Sequence, residues 1–393
     1  MAFKTTYSQY DNKVGLISTK GALDLTTIPS NENKITASDG AAGDSFGNSV
    51  AVGNGRIVVG AYADNSYQGS AYIFDLNGTQ LAKITASDGA VDDFFGQSVA
   101  VGNGRIVVGA YADDDNGSQS GSAYIFDLDG TQLAKITASD GAGGDGFGWS
   151  VAVGCGRIVV GAKNDSVGAN PVGSAYIYDL DGTLLAKITA SDGDAFDDFG
   201  WSVAVGNGRI VVGAVYGDSS QGLAYIFDLD GTQLAKITAS DGAAFDNFGV
   251  SVAVGNGRIV VGAYGDDDKA YQSGAAYIFD LDGTQLAKIT ASDGGVNDYF
   301  GESVAVDCGR IVVGAPYDDD NGNNSGSAYI FDLDGNQLTR IIASDGGNTN
   351  FFSGSVAVGN GRIVVGASGD DSFQGSTYIY NTPNIKDIFS IVD

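Results

Sequence analysis

The chain has 393 residues, 43% of them hydrophobic, with 61 glycines, 48 acidic against 20 basic residues, and a net charge of −28. This hydrophobic content supports a packed core rather than disorder, and so acidic a surface repels phosphate backbones, which disfavours nucleic acid as a partner. The absence of histidine removes the commonest general base and zinc ligand. Of the acids, 46 are Asp and only Glu32 and Glu302 are Glu, which points to turns rather than helices.

Residues 1–33 match nothing later in the chain and are expected to be an extension that docks the protein to a larger assembly. Their first stretch, MAFKTTYSQYDNKVGLIS, has no charged segment followed by an apolar run, so no secretory signal is expected. No run reaches about 18 consecutive apolar residues, so membrane insertion is not expected. The segment KITASDG, Lys34 to Gly40, comes next, and then FGNSVAVGNGRIVVGA, Phe46 to Ala61. The core GRIVVGA returns at Gly55, Gly104, Gly156, Gly208, Gly257, Gly309 and Gly361, in steps of 49, 52, 52, 49, 52 and 52 residues. A period of about 50 residues means a repeat architecture.

The second repeat reads as four strands. SVAVG (Ser98 to Gly102) turns through Asn103-Gly104, where both residues need φ > 0, and RIVVGA (Arg105 to Ala110) returns. After a polar loop, AYIFDL (Ala123 to Leu128) turns through Asp129-Gly130 into TQLAKITAS (Thr131 to Ser139). These strands, A to D, form an antiparallel meander with no 3.6-residue period. Such a sheet is apolar on both faces, so copies must sandwich one another. The last repeat stops after Thr377–Tyr380, while an unmatched strand D copy stands at Lys34–Ser38. Pairing these two segments closes a ring. The expected fold is therefore all-β, a seven-bladed β-propeller of four-stranded antiparallel blades over residues 34–383, with a tail at 384–393.

The pattern of Phe-Gly followed by Gly-Ala resembles the FG-GAP repeat of integrin α-subunit propellers, and is closer to bacterial FG-GAP proteins. The resemblance implies a propeller and leaves its activity open. Only Gly314-Ala315-Pro316 spells GAP, and the last repeat has Phe352-Ser353-Gly354 in place of Phe-Gly. Several integrin repeats carry a DxDxDG calcium loop between strands A and B. Here that loop is cut to GNG, GCG or DCG, so the inherited calcium site is absent.

Three sets of Asp recur. One precedes Gly in the D–A connection (Asp39, Asp88, Asp140, Asp293), a second follows five residues later (Asp44, Asp93, Asp145, Asp298), and a third follows Gly-Ala (Asp64, Asp113, Asp165, Asp318). They either fix turns by accepting backbone N–H bonds or provide oxygen ligands for Ca²⁺ between the two loops of each blade. Arginines at the A–B turn, such as Arg56 and Arg105, are expected to pair with Asp75, Asp127 and their equivalents near the C–D turn. Cys155 and Cys308 hold the same position in repeats three and six, too far apart in a ring for a disulfide.

Variation concentrates on the rim built by the B–C and D–A loops. The B–C loop is three residues longer in blades two, three, five and six, and the residue after Phe-Gly also changes (Gln97, Trp149, Trp201, Glu302). Variable loops on a rigid scaffold are where recognition is found. The candidate contacts are Trp149, Trp201, Tyr216, Tyr271, Tyr317, Phe373, Gln97 and Glu302, suited to a surface glycan or protein. No residue set breaks the symmetry as an active site would, so the chain is expected not to be an enzyme; a propeller-fold polysaccharide lyase or glycosidase is the alternative. A virion appendage, such as a phage tail or capsid component, or a bacterial surface protein, suits such a module, and a purely structural virion component is the other reading.

Overall fold

In the computed structural model, described for residues 32–167 and 170–382 and for the backbone of strands Thr6–Tyr10, Lys13–Ser18 and Gly21–Ala22, the repeats form seven four-stranded antiparallel sheets. The three N-terminal strands make a small antiparallel sheet of their own. The docking role expected of residues 1–33 falls mostly outside the described residues, as does the tail at 384–393.

Each blade runs A, B, C, D from the centre outward, as in Ser98–Gly102, Arg105–Ala110, Ser122–Phe126 and Gln132–Ile136. Strand C ends earlier than the apolar alternation suggests. The Asp127 carboxylate accepts the N–H groups of Asp129 and Thr131, which folds the chain into a turn and shifts the register after Ile125. Strand D also stops short, at Ile136, before the segment that leaves for the next blade.

The cores lie between blades rather than within them. Phe46 packs edge-on against Tyr72 and Phe74, with centroids 5.4 and 5.9 Å apart, and the Phe of the other Phe-Gly pairs does the same. One such core joins Ala357, Val364 and Ile379 of blade seven to Ile35, Phe46, Val50 and Tyr72, so the ring is closed. Contact between blades also explains the two glycine motifs. A Cβ at Gly60 would stand 2.0 Å from the carbonyl oxygen of Gly96 in the next blade, closer than any side chain allows. In blade seven Ser353 takes the Phe-Gly glycine's place at φ 78°. Its hydroxyl donates to the Ser327 carbonyl and accepts the Ala315 N–H.

Closure follows the expected scheme with a shifted boundary. Strand Asn33–Ile35 pairs antiparallel with Ser376–Asn381, in register Thr377 to Ile35 and Ile379 to Asn33. It starts one residue before Lys34 and stops at Ile35 rather than Ser38. Ser38 has already crossed to blade one, where its N–H and hydroxyl meet the Gln80 side-chain amide.

The A–B turns form a second ring. Asn54 and Gly55 sit at φ 50° and 77°, and the Asn54 side-chain oxygen accepts the Gly104 N–H of the next blade. Four more asparagines repeat that contact. Cys155 and Cys308, exposed free thiols at φ 51° and 53°, interrupt the ladder because a thiol cannot take the amide's place as acceptor. Cys155→Asn and Cys308→Asn should each add about 0.5–1.5 kcal/mol, one hydrogen bond and a residue better suited to that backbone. Chemical denaturation of the single variants checks this; no gain in midpoint would mean the asparagine ladder contributes nothing.

Candidate ligand-binding rim and channel mouth

The recurring acids divide into two jobs. In blade one the Lys83 Nζ lies 2.7 Å from both Asp39 and Asp64, and the Tyr72 hydroxyl donates to Asp39 at 3.0 Å. Lys135 sits in the same way on Asp88 and Asp113, Lys187 on Asp140 and Asp165, and Arg340 on Asp293 and Asp318. The middle set caps turns: Asp44, Asp93, Asp145 and Asp298 accept the N–H of Ala41, Ala90, Ala142 and Gly295.

Each space where a calcium ion was expected therefore already holds a cation of the chain's own. Where three carboxylates do meet, as Asp88, Asp113 and Asp115 do, they meet on the ammonium of Lys135. These residues do not fit a resident calcium ion. The melting temperature is expected to stay within about 1 °C between millimolar Ca²⁺ and EDTA, since only a ligand of the native state shifts it. A rise of several degrees with Ca²⁺ would show that the metal displaces the lysines.

The arginine girdle exists, but with other partners. Arg56 donates through Nε to the Leu128 carbonyl at 3.0 Å and meets Asp129, not Asp75 or Asp127, at 3.2 Å. Asp75 and Asp127 are occupied by their own turns, and six of the seven arginines reach across to the next blade, Arg310 instead bonding the Gly309 carbonyl beside it. Arg362 completes the circle on the Leu76 carbonyl. This is the face opposite the variable loops.

On the rim, the variable residues converge. Trp149, Trp201 and Glu302 line the mouth of the central channel together with Val250 and Gly354. Aromatic rings continue outward from them in two arcs. The first runs Tyr67, Phe94, Tyr111, Trp149, Trp201, Tyr216, with neighbouring centroids 4.9–5.7 Å apart. The second runs Tyr264, Tyr299, Tyr317, Phe351, Phe373, at 4.8–6.2 Å. Tyr271 is exposed in its loop and stacks on no ring among the described residues, and Gln97 supplies a carbonyl to the Asn48 side chain. Tyr67, in the first B–C loop, was missed in the sequence, as were Phe94, Tyr111, Tyr264, Tyr299 and Phe351. The last five stand just before Phe-Gly (Phe-Ser in blade seven) or just after Gly-Ala, positions whose variation was there to be read.

The short B–C loops hold part of this surface in a strained form. Asn65, Ser66 and Tyr67 are all left-handed, at φ 52°, 60° and 61°, as are Asp371, Ser372 and Phe373 at 47°, 63° and 62°. Such a conformation costs roughly 1–2 kcal/mol per residue. Their ends are tied by the Tyr67 N–H to Ala63 and the Phe373 N–H to Gly369. A cavity of about 260 Å³ opens between Tyr62, Tyr317, Phe351, Phe373 and Glu302. Glu302 is half-buried among these residues, and this burial pushes its carboxyl up to about 7.

A closed ring of seven four-stranded sheets defines a β-propeller, a fold that hosts many functions. A model of the FG-GAP repeat matches seven times, at residues 29–74, 79–126, 131–178, 183–227, 232–279, 284–331 and 336–380, and the chain belongs to that family. Each matched unit runs from an outer strand into strands A to C of the following blade, the same offset that closes the ring. The family is generally non-enzymatic and typically extracellular. No curated protein matches the chain significantly. Among the described residues no helix is long and apolar enough to cross a membrane.

Proposed function

We propose that the chain is a non-enzymatic recognition module, displayed on a virion or cell surface, that binds a host glycan or protein through the rim around its channel mouth. The observation that carries this reading is the concentration of partly exposed aromatic rings on that rim. Tyr67, Tyr216, Tyr317 and Phe373 are 37–47% exposed there, whereas the other face repeats one Asn–Arg–Asp pattern. Exposed rings beside polar groups are what a recognition surface presents to a partner.

Binding to host-cell surface material tests this. Trp201→Ala, or replacement of residues 318–324 by Gly-Ser, is expected to weaken binding about tenfold or more, the loss typical of an aromatic anchor. Arg105→Ala and Arg258→Ala should lower the melting temperature and leave binding alone. Folded rim variants that bind like the parent would show that recognition lies elsewhere.

A further inference from the structure

At the position after Gly-Ala the rim carries a charge in one blade, the third. Lys163 follows Gly161-Ala162, where blades one, two and five carry tyrosine. Its Nζ stands 3.5 and 4.1 Å from the ring centroids of Trp149 and Trp201. The strand D lysines are each held by at least two aspartates. Lys163 has no hydrogen-bond or ion-pair partner among the described residues, and its partners are the two indole faces.

Asp198 stands just before Phe199-Gly200, in left-handed backbone at φ 57°, half-buried. Its carboxylate likewise takes no hydrogen bond among the described residues. The Trp201 N–H donates to the Asp198 carbonyl at 3.0 Å, which places Asp198 in the turn that carries the ring under Lys163, although the two charged groups form no ion pair among the described residues. Burial lowers the Lys163 pKa and raises that of Asp198, as expected of charges taken from water without a bonded partner. Partly buried polar groups are ordinarily satisfied.

We propose that Lys163 and Asp198 form a cradle for a neutral sugar ring at the channel mouth. This rests on the rim-recognition reading above and names the ligand class for it. An ammonium only donates and a carboxylate only accepts, whereas a sugar hydroxyl does both. Neighbouring hydroxyls can therefore accept from Lys163 Nζ and donate to Asp198. A carboxylated ligand would satisfy Lys163 but face Asp198 and a chain charge of −28, and an amine would satisfy Asp198 but face Lys163. The exposed ring of Tyr216, next to Trp201, offers an apolar surface to the sugar's C–H face.

The chain's two tryptophans are the two that hold Lys163, so tryptophan fluorescence, excited beyond the absorption of the 19 tyrosines, reads this site. The full chain is titrated with methyl glycosides of glucose, galactose, mannose and N-acetylglucosamine, and with glucuronate as the anionic probe. At least one neutral glycoside is expected to give a saturable change, with glucuronate binding more weakly. Lys163→Met and Asp198→Ala, each first shown to melt like the parent, should weaken that binding about tenfold or more, and Lys163→Arg should retain part of it. No saturable change with any neutral glycoside, unchanged affinity in both variants, or tighter binding of glucuronate would overturn the proposal. Loss of cell-surface binding in Trp201→Ala without any glycoside response would remove the sugar cradle and leave rim recognition standing.

Discussion

Deletion of residues 1–40 is expected to leave a protein that aggregates or melts more than about 10 °C below the full chain, while deletion of residues 1–30 should melt like the parent. The longer deletion removes the strand Asn33–Ile35 and leaves the edge of Ser376–Asn381 unpaired, a ready template for association with other chains. It also removes Lys34, which binds Asp345 at 2.7 Å and Asp370 at 2.6 Å, and Glu32, which accepts the Tyr380 hydroxyl at 2.9 Å. Ile35 and Ala37 leave the core between blades seven and one. A propeller opened at that seam exposes an apolar blade face rather than a loop. Calorimetry and size-exclusion chromatography of both truncations decide the matter; equal melting of the longer one would mean that the ring is held shut without this strand.

Lys135→Met should destabilise the propeller by about 3–5 kcal/mol, the loss typical when one partner of a buried ion pair is removed. The Lys135 side chain is 17% exposed and Asp113, its partner at 3.0 Å, is 5% exposed. Asp88 and Asp115 stand on the same ammonium. Without it three carboxylates share one pocket, and the deficit should shrink at about pH 4.5, where protonation relieves them. A deficit that stays constant with pH would mean that the lost packing of the lysine stem, not charge, is responsible.

The parent's own pH dependence has two opposed parts. Burial acts to raise the Asp88 carboxyl, but Lys135 and the Tyr124 hydroxyl outweigh it and hold it below the usual range. Such a group contributes stability above its unfolded value, about 3.9, which is lost as pH falls through its lower folded value. Burial pushes Asp298 up to about 6, and Glu302 is raised as well. For these two the folded state holds the proton more tightly, so stability rises as pH falls from about 7 towards 4. The melting temperature should therefore peak on the acid side of neutral. A steady fall from about pH 8 to 5 would contradict this.

Most of the architecture was legible in the sequence because it is repeated. Seven copies of GRIVVGA at near-constant spacing, with an unmatched KITASDG ahead of them, define both the number of blades and the closing strand. Asn-Gly turns and alternating apolar residues act locally, so a short stretch of chain is enough to read them. The channel mouth was legible in part: Trp149, Trp201 and Glu302 show as departures from the repeat at one position. Contacts between blades were not legible, because they join residues about 50–75 positions apart whose spacing in the sequence says nothing of distance. Arg56 reaches past Asp75 to Leu128 and Asp129 of the next blade. The acids that suggested a calcium site turn out to surround a lysine, since only folding brings strand D beneath both loops. Lys163 looks like one more lysine in the sequence. The sequence determined the ring and the face that varies; the tertiary structure decided which charges are spent on holding it together, because an ion pair is made by proximity and the chain's order does not encode it.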